Sequence, residues 1–116
     1  MSVKVLDAHV RSKPGIACID LMGEISAQAE DVSNQAYEEA VGANPGTILL
    51  NFSGVEYINS TGIALILNLL VKAGRSHRKL YSYGLSDHYR EIFRITRLSD
   101  FMRIFNDETA ALAAVT

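Results

Sequence analysis

Along this chain the spacing of apolar residues switches repeatedly between the period of a strand and that of a helix. Val3 to Val10 alternates loosely, with Val3, Val5, Ala8 and Val10 among polar neighbours, and predicts a strand at a sheet edge. Arg11-Ser12-Lys13-Pro14-Gly15 is turn chemistry, because Pro14 fixes φ and Gly15 permits φ > 0. The apolar run from Gly15 to Met22 predicts a second strand, joined to the first as a hairpin through a five-residue turn. Gly23-Glu24-Ile25-Ser26 ends that strand, and Ser26 is placed to cap a helix. Ala27 to Val41 then keeps a helical period through Ala29, Val32, Ala36 and Ala40, with Glu30, Asp31, Glu38 and Glu39 outside. Gly42-Ala43-Asn44-Pro45-Gly46 stops it.

The centre of the chain is one unit. Thr47-Ile48-Leu49-Leu50-Asn51-Phe52 is the short apolar run of a buried strand. A short loop follows, and then Asn59 or Ser60 stands where a helix N-cap belongs, since either side chain accepts a hydrogen bond from the first-turn amides. The helix behind it is apolar on more than one side. At ~100° per residue, Ile63, Ile66, Leu67, Leu70 and Gly74 share one face, with Val71 and Ala73 at its edges. Leu65 and Leu69 fall on the other side. Either a second layer covers these two leucines or they form a docking patch.

Lys79 to Gly84 predicts a further strand. Ser86 caps a helix from Asp87 to about Ile95, with Tyr89, Ile92, Phe93 and Ile95 inward. Phe101 to Phe105 reads as a last short strand, and Asn106 as the cap of an alanine-rich helix over Asp107 to Val115. Two strands followed by repeated strand–helix units predict an α/β layer with a mixed sheet and right-handed crossovers. No linker divides the chain, so residues 1–116 are read as one domain.

Composition narrows the function. The 116 residues are 48% hydrophobic with a net charge of −2, which fits a packed domain and supplies no broad field for nucleic acid or an anionic membrane. The one cysteine, Cys18, lies in an apolar run and reads as a small buried residue in a reducing compartment. The start shows no signal peptide, and the longest apolar stretch, Ile63 to Val71, interrupted by Asn68, falls short of the ~20 residues that span a bilayer. These readings place the protein in the cytoplasm. The basic run Lys72, Arg75, His77, Arg78 and Lys79 is expected at a helix C-terminus, where cations are favourable.

Enzyme patterns are poorly represented. There is no Gly-rich phosphate loop, no clustered Cys/His metal pattern and no Gly-x-Ser-x-Gly elbow, and His9, His77 and His88 are scattered. No catalytic residue, metal or cofactor is assigned. A Ser60–His88 hydrolase lacks an orienting carboxylate that the sequence identifies. What stands out is Ser60 and Thr61 at a helix N-terminus. Their hydroxyls are either plain caps, worth about 1 kcal/mol, or a phosphorylation switch that adds about −1.5 to −2 charges at the lip of an apolar patch.

Leu50-Asn51-Phe52-Ser53-Gly54-Val55-Glu56-Tyr57-Ile58-Asn59-Ser60-Thr61-Gly62-Ile63 resembles the core motif of STAS domains, especially the single-domain anti-sigma factor antagonists of bacteria. Gly23-Glu24-Ile25-Ser26 resembles the Gly-Glu-Leu/Ile-Asp segment after the family's second strand. The resemblance covers essentially the whole chain. It implies a mixed β-sheet of about five strands with about four helices packed mainly on one side. It also implies a binding protein without catalysis of its own. Its partner would be an anti-sigma factor that is also a serine kinase, and a phosphatase would reset the switch. Ser60 matches the phosphorylated serine, Thr61 its neighbour, and Gly62 the glycine that lets the partner approach. Glu24, Asn59, Leu65 and Leu69 complete the implied partner face. Asn51, Asn59 and Ser26 depart from the family, which commonly has aspartate at these positions; Asn59 keeps the shape and one acceptor oxygen without the charge. The alternative is a STAS module that binds a nucleotide or another small anion at the Ser60–Gly62 helix end.

Overall fold

In a computed structural model, which describes residues 5–115, the chain forms a five-stranded sheet in the order β1-β2-β3-β4-β5. The strands are β1 (Asp7–Lys13), β2 (Ile16–Ile25), β3 (Thr47–Ile58), β4 (Lys79–Tyr83) and β5 (Ile104–Phe105). The helices are α1 (Glu30–Gly42), α2 (Ser60–Arg75), α3 (Asp87–Ile95) and α4 (Glu108–Val115). β1 and β2 pair antiparallel, and every later pairing is parallel, so the predicted mixed sheet is what forms. Among the described residues no helix is long and apolar enough to cross a membrane.

The period-2 alternation of the strands sorts their side chains onto two faces. Ala17, Ile19, Leu21, Ile48, Leu50, Phe52 and Leu80 face the main layer, where Tyr37, Ile66, Leu69 and Phe93 of α1, α2 and α3 meet them. Phe93 packs edge-on against Phe52, with ring centroids 5.8 Å apart. Cys18, Leu49 and Tyr83 point the other way, onto Ala111 of α4. Three helices therefore share one side and one short helix takes the other.

Several boundaries differ from the sequence reading. The hairpin turn is two residues, Pro14-Gly15, because Lys13 already pairs with Ile16 and Gly15 takes φ +81°. The predicted start of β1 at Val3 lies outside the described residues. Ser26 does not cap α1: its hydroxyl donates to Gln28 Oε1 at 2.8 Å, and a 3-10 turn over Ala27–Ala29 precedes the helix. β3 runs on to Ile58 through what reads as a loop, since Gly54, Val55, Tyr57 and Ile58 still pair with the end of β2. Ser86 does cap α3, but Ile95 is 64% exposed. Asp107 rather than Asn106 caps α4, accepting from the Ala110 amide at 2.9 Å, while Asn106 accepts from Arg90. Lys72 and Arg75 stand in the last turn of α2 as expected, while Lys72 donates to Asn34 Oδ1 of α1 at 3.0 Å and Arg78 to the Pro45 carbonyl at 2.5 Å.

Candidate functional site

β2 and β3 run parallel and end side by side at Ile25 and Ile58, and α2 starts where they end. Two bonds fix this corner before the helix begins. The Ile58 amide donates to the Tyr89 hydroxyl of α3 at 2.9 Å, and the Asn59 amide donates to the Ile25 carbonyl at 3.2 Å. Asn59 is extended, and its Oδ1 accepts the Gly62 amide at 2.8 Å while its carbonyl accepts the Ile63 amide at 3.0 Å. Of the two candidate caps, Asn59 is the cap and Ser60 is the first helical residue.

Ser60 and Thr61 are exposed. Helix geometry leaves the amides of these two positions without an intrahelical partner. They lie at the positive end of a helix of 16 residues. A hydroxyl here is accessible to another macromolecule, and the helix end tolerates an added anion. Glu24, half-buried near the end of β2, lies in register with Tyr57 and so beside the same corner.

Three expected contact residues sit elsewhere. Leu65 and Leu69 are 7% and 4% exposed, inside the core shared with α1 and the sheet, and are not a docking patch. The phase of the helix differs from the reading: Leu65, Ile66, Leu69 and Ala73 face inward, while Leu67 and Val71 are 45% and 44% exposed. Gly62 is buried, and a Cβ there would lie 2.0 Å from the Ile25 carbonyl oxygen. Its missing side chain lets α2 approach β2 of its own chain, not a partner.

The sequence reading passed over two exposed apolar residues nearby, Tyr57 and Met22. Tyr57 is two residues ahead of the cap. Its signal was an aromatic at a strand position whose neighbours, Glu56 and Ile58, differ in polarity. A second feature was missed as well. On the opposite face of the sheet, Arg11 donates to Asp20 Oδ2 at 2.7 Å and to Glu108 Oε1 at 2.5 Å, and Tyr83 donates to the same Glu108 oxygen at 2.6 Å. Burial pushes the Asp20 carboxyl up, but hydrogen bonds from Arg11 and Asn51 outweigh it and hold the group below its usual range. Burial raises the Cys18 thiol, as befits the packed, unreactive cysteine expected.

The family model of the STAS domain matches residues 7–111 of this chain. An anti-sigma-B factor antagonist of Staphylococcus aureus is 35% identical over 57 residues, which are 49% of this chain and 53% of that protein. The chain thus spans about half the length of the curated relatives it matches. Among solved structures, an anti-sigma factor antagonist from Mycobacterium paratuberculosis superposes with a TM-score of 0.82 at 21% identity, over 95% of this chain and 93% of that one. The unphosphorylated form of the anti-sigma factor antagonist SpoIIAA gives 0.75 at 20% identity, over 94% and 96%. Its phosphorylated form, from Bacillus, gives 0.72 at 20% identity, over 95% and 100%. At these identities the superpositions speak to the fold.

Proposed function

The chain belongs to the STAS domain family, and from that premise we propose that it is an anti-sigma factor antagonist switched by phosphorylation of Ser60. It binds an anti-sigma factor with serine kinase activity by surface contact in the cytoplasm. It has no catalysis, cofactor, nucleic acid or membrane of its own, and a phosphoserine phosphatase restores it. The observation that carries this reading is the exposed Ser60 hydroxyl at the first position of α2, at the serine of the family motif. Names carried by similar proteins support it in the same direction.

The partner face in this reading is Glu24, Asn59, Ser60 and Thr61, with Gly62 propping the turn from beneath and Tyr57 at its edge. A phosphate on Ser60 brings about −1.5 to −2 charges and three acceptor oxygens. The helix dipole favours that charge by roughly 0.3–1 kcal/mol, so the fold holds while the surface changes. A partner shaped for a neutral hydroxyl then loses both fit and desolvation energy. The small-anion alternative shares the helix N-terminus but rests on that alone.

The test is binding to the serine-kinase-like anti-sigma proteins of the host, with wild type, Ser60→Ala and Ser60→Asp compared by titration. Incubation with the kinase and ATP is followed by intact-mass measurement and site mapping. One phosphate on Ser60 and weakened binding of Ser60→Asp are expected. Equal binding of Ser60→Asp and wild type to the same partner sinks the switch.

A further inference from the structure

The second face of the sheet carries one helix, and that helix is lightly held. α4 contributes one fully buried side chain, Ala111, and Leu112 and Val115 are only half-buried. Beneath it lie Ile16, Cys18, Leu49 and Tyr81. A cavity of about 20 Å³ remains between Ile16, Cys18, Leu49 and Leu112, so the packing there is incomplete. By contrast the helices of the main face bury large side chains of their own, among them Tyr37, Leu65, Ile66, Leu69 and Phe93.

What fixes α4 is its first residue. Glu108 Oε1 receives Arg11 Nη2 at 2.5 Å and the Tyr83 hydroxyl at 2.6 Å. Arg11 is held in place by Asp20, whose Oδ2 and Oδ1 accept from it at 2.7 and 2.9 Å. These are charge-assisted bonds to one point at the beginning of the helix. Only Asn106 and Asp107 separate α4 from β5.

We infer that α4 is a strap across the second face, fastened by Glu108 to Arg11 and Tyr83, that opens as a unit while the five-stranded sheet and its main helical layer stay folded. Elements with little buried apolar surface open at free energies well below that of global unfolding. The short Asn106-Asp107 joint supplies the hinge, and opening bares the apolar strip of Ile16, Cys18, Leu49 and Tyr81. This holds whether or not Ser60 is ever phosphorylated.

Cys18 is the only cysteine, so its reaction with a thiol reagent reads the opening directly. Labelling of the intact chain is followed in rising urea at fixed pH, with rates referred to an unstructured cysteine peptide. Amide hydrogen exchange is recorded alongside. Cys18 and the Ala111 and Leu112 amides should open with a shallow urea dependence, whereas Ile48 and Leu50 should follow the steep dependence of global unfolding. Because Cys18 Sγ touches both Arg11 and Tyr83, the variant is read by exchange: Glu108→Gln should speed exchange of the Ala111 and Leu112 amides without urea about five-fold, and Glu91→Gln, whose partner is Arg94 on α3, should not change it. A Cys18 urea dependence as steep as that of Ile48, or an unchanged exchange rate in a folded Glu108→Gln, overturns the strap. Should Glu108→Gln fail to fold, the wild-type urea series decides alone.

Discussion

Asn59 closes the first turn of α2 with a neutral amide: its Oδ1 takes the Gly62 amide at 2.8 Å, a bond that needs an oxygen of that reach and no charge. Asn59→Ala is therefore expected to lower stability by about 1 kcal/mol in urea denaturation, and Asn59→Asp to stay within about 0.5 kcal/mol of wild type. An alanine as stable as asparagine would mean that the cap is idle. Gly62 is the stricter requirement. The atom a Cβ would meet is the Ile25 carbonyl oxygen at 2.0 Å, and that carbonyl also accepts the Asn59 amide. Backbone cannot swing aside as a side chain can, so Gly62→Ala should cost about 3 kcal/mol, more than loss of the cap. Thermal unfolding of the two variants side by side checks the order.

α2 shows why an element can be legible while its orientation is not. Its inward positions are Gly62, Leu65, Ile66, Leu69 and Ala73, and Leu67 and Val71 face out. Leu69→Ala should therefore cost roughly 2–5 kcal/mol by opening a cavity, and Leu67→Ala within about 0.5 kcal/mol; equal losses in denaturant titration would contradict this phase. The existence of the helix followed from its cap and its long apolar run, interrupted only by Asn68. Its phase did not, because leucine and isoleucine occur on every side and a period needs contrast to be seen. β3 shows the same limit: its last residues pair only with β2, and Ser53, Gly54 and Glu56 interrupt Val55, Tyr57 and Ile58, so no continuous apolar run marked them as strand. The Ser60 corner was legible because its cap and turn lie within four residues. The Arg11–Glu108 pair was not, because its partners are 97 residues apart and only the closed sheet brings them together.

Across the whole molecule, that pair belongs to a network that ties four strands to α4. Arg11 of β1 binds Asp20 of β2, Asn51 of β3 donates to the same Asp20 at 2.8 Å, and Tyr83 of β4 meets Glu108 of α4. Two of its members, Asp20 and Glu108, titrate below the ordinary carboxylate range: Asp20 because the bonds from Arg11 and Asn51 exceed its burial cost, Glu108 because of the bonds from Arg11 and then Tyr83. A carboxylate depressed in the fold adds stability that is fully present above its unfolded value of about 4 and lost as pH falls through the folded one. Wild type should thus lose stability on acidification from about pH 5 downward, beyond what general charge repulsion adds. Asp20→Asn removes one titration and leaves the other. It should be less stable than wild type by about 1 kcal/mol at neutral pH, since the pair is partly open to solvent. The gap should close toward zero as the wild-type Asp20 takes up its proton. Urea midpoints of both proteins over a pH series read this convergence, and a gap that stays constant into acid would show that the network contributes shape rather than charge.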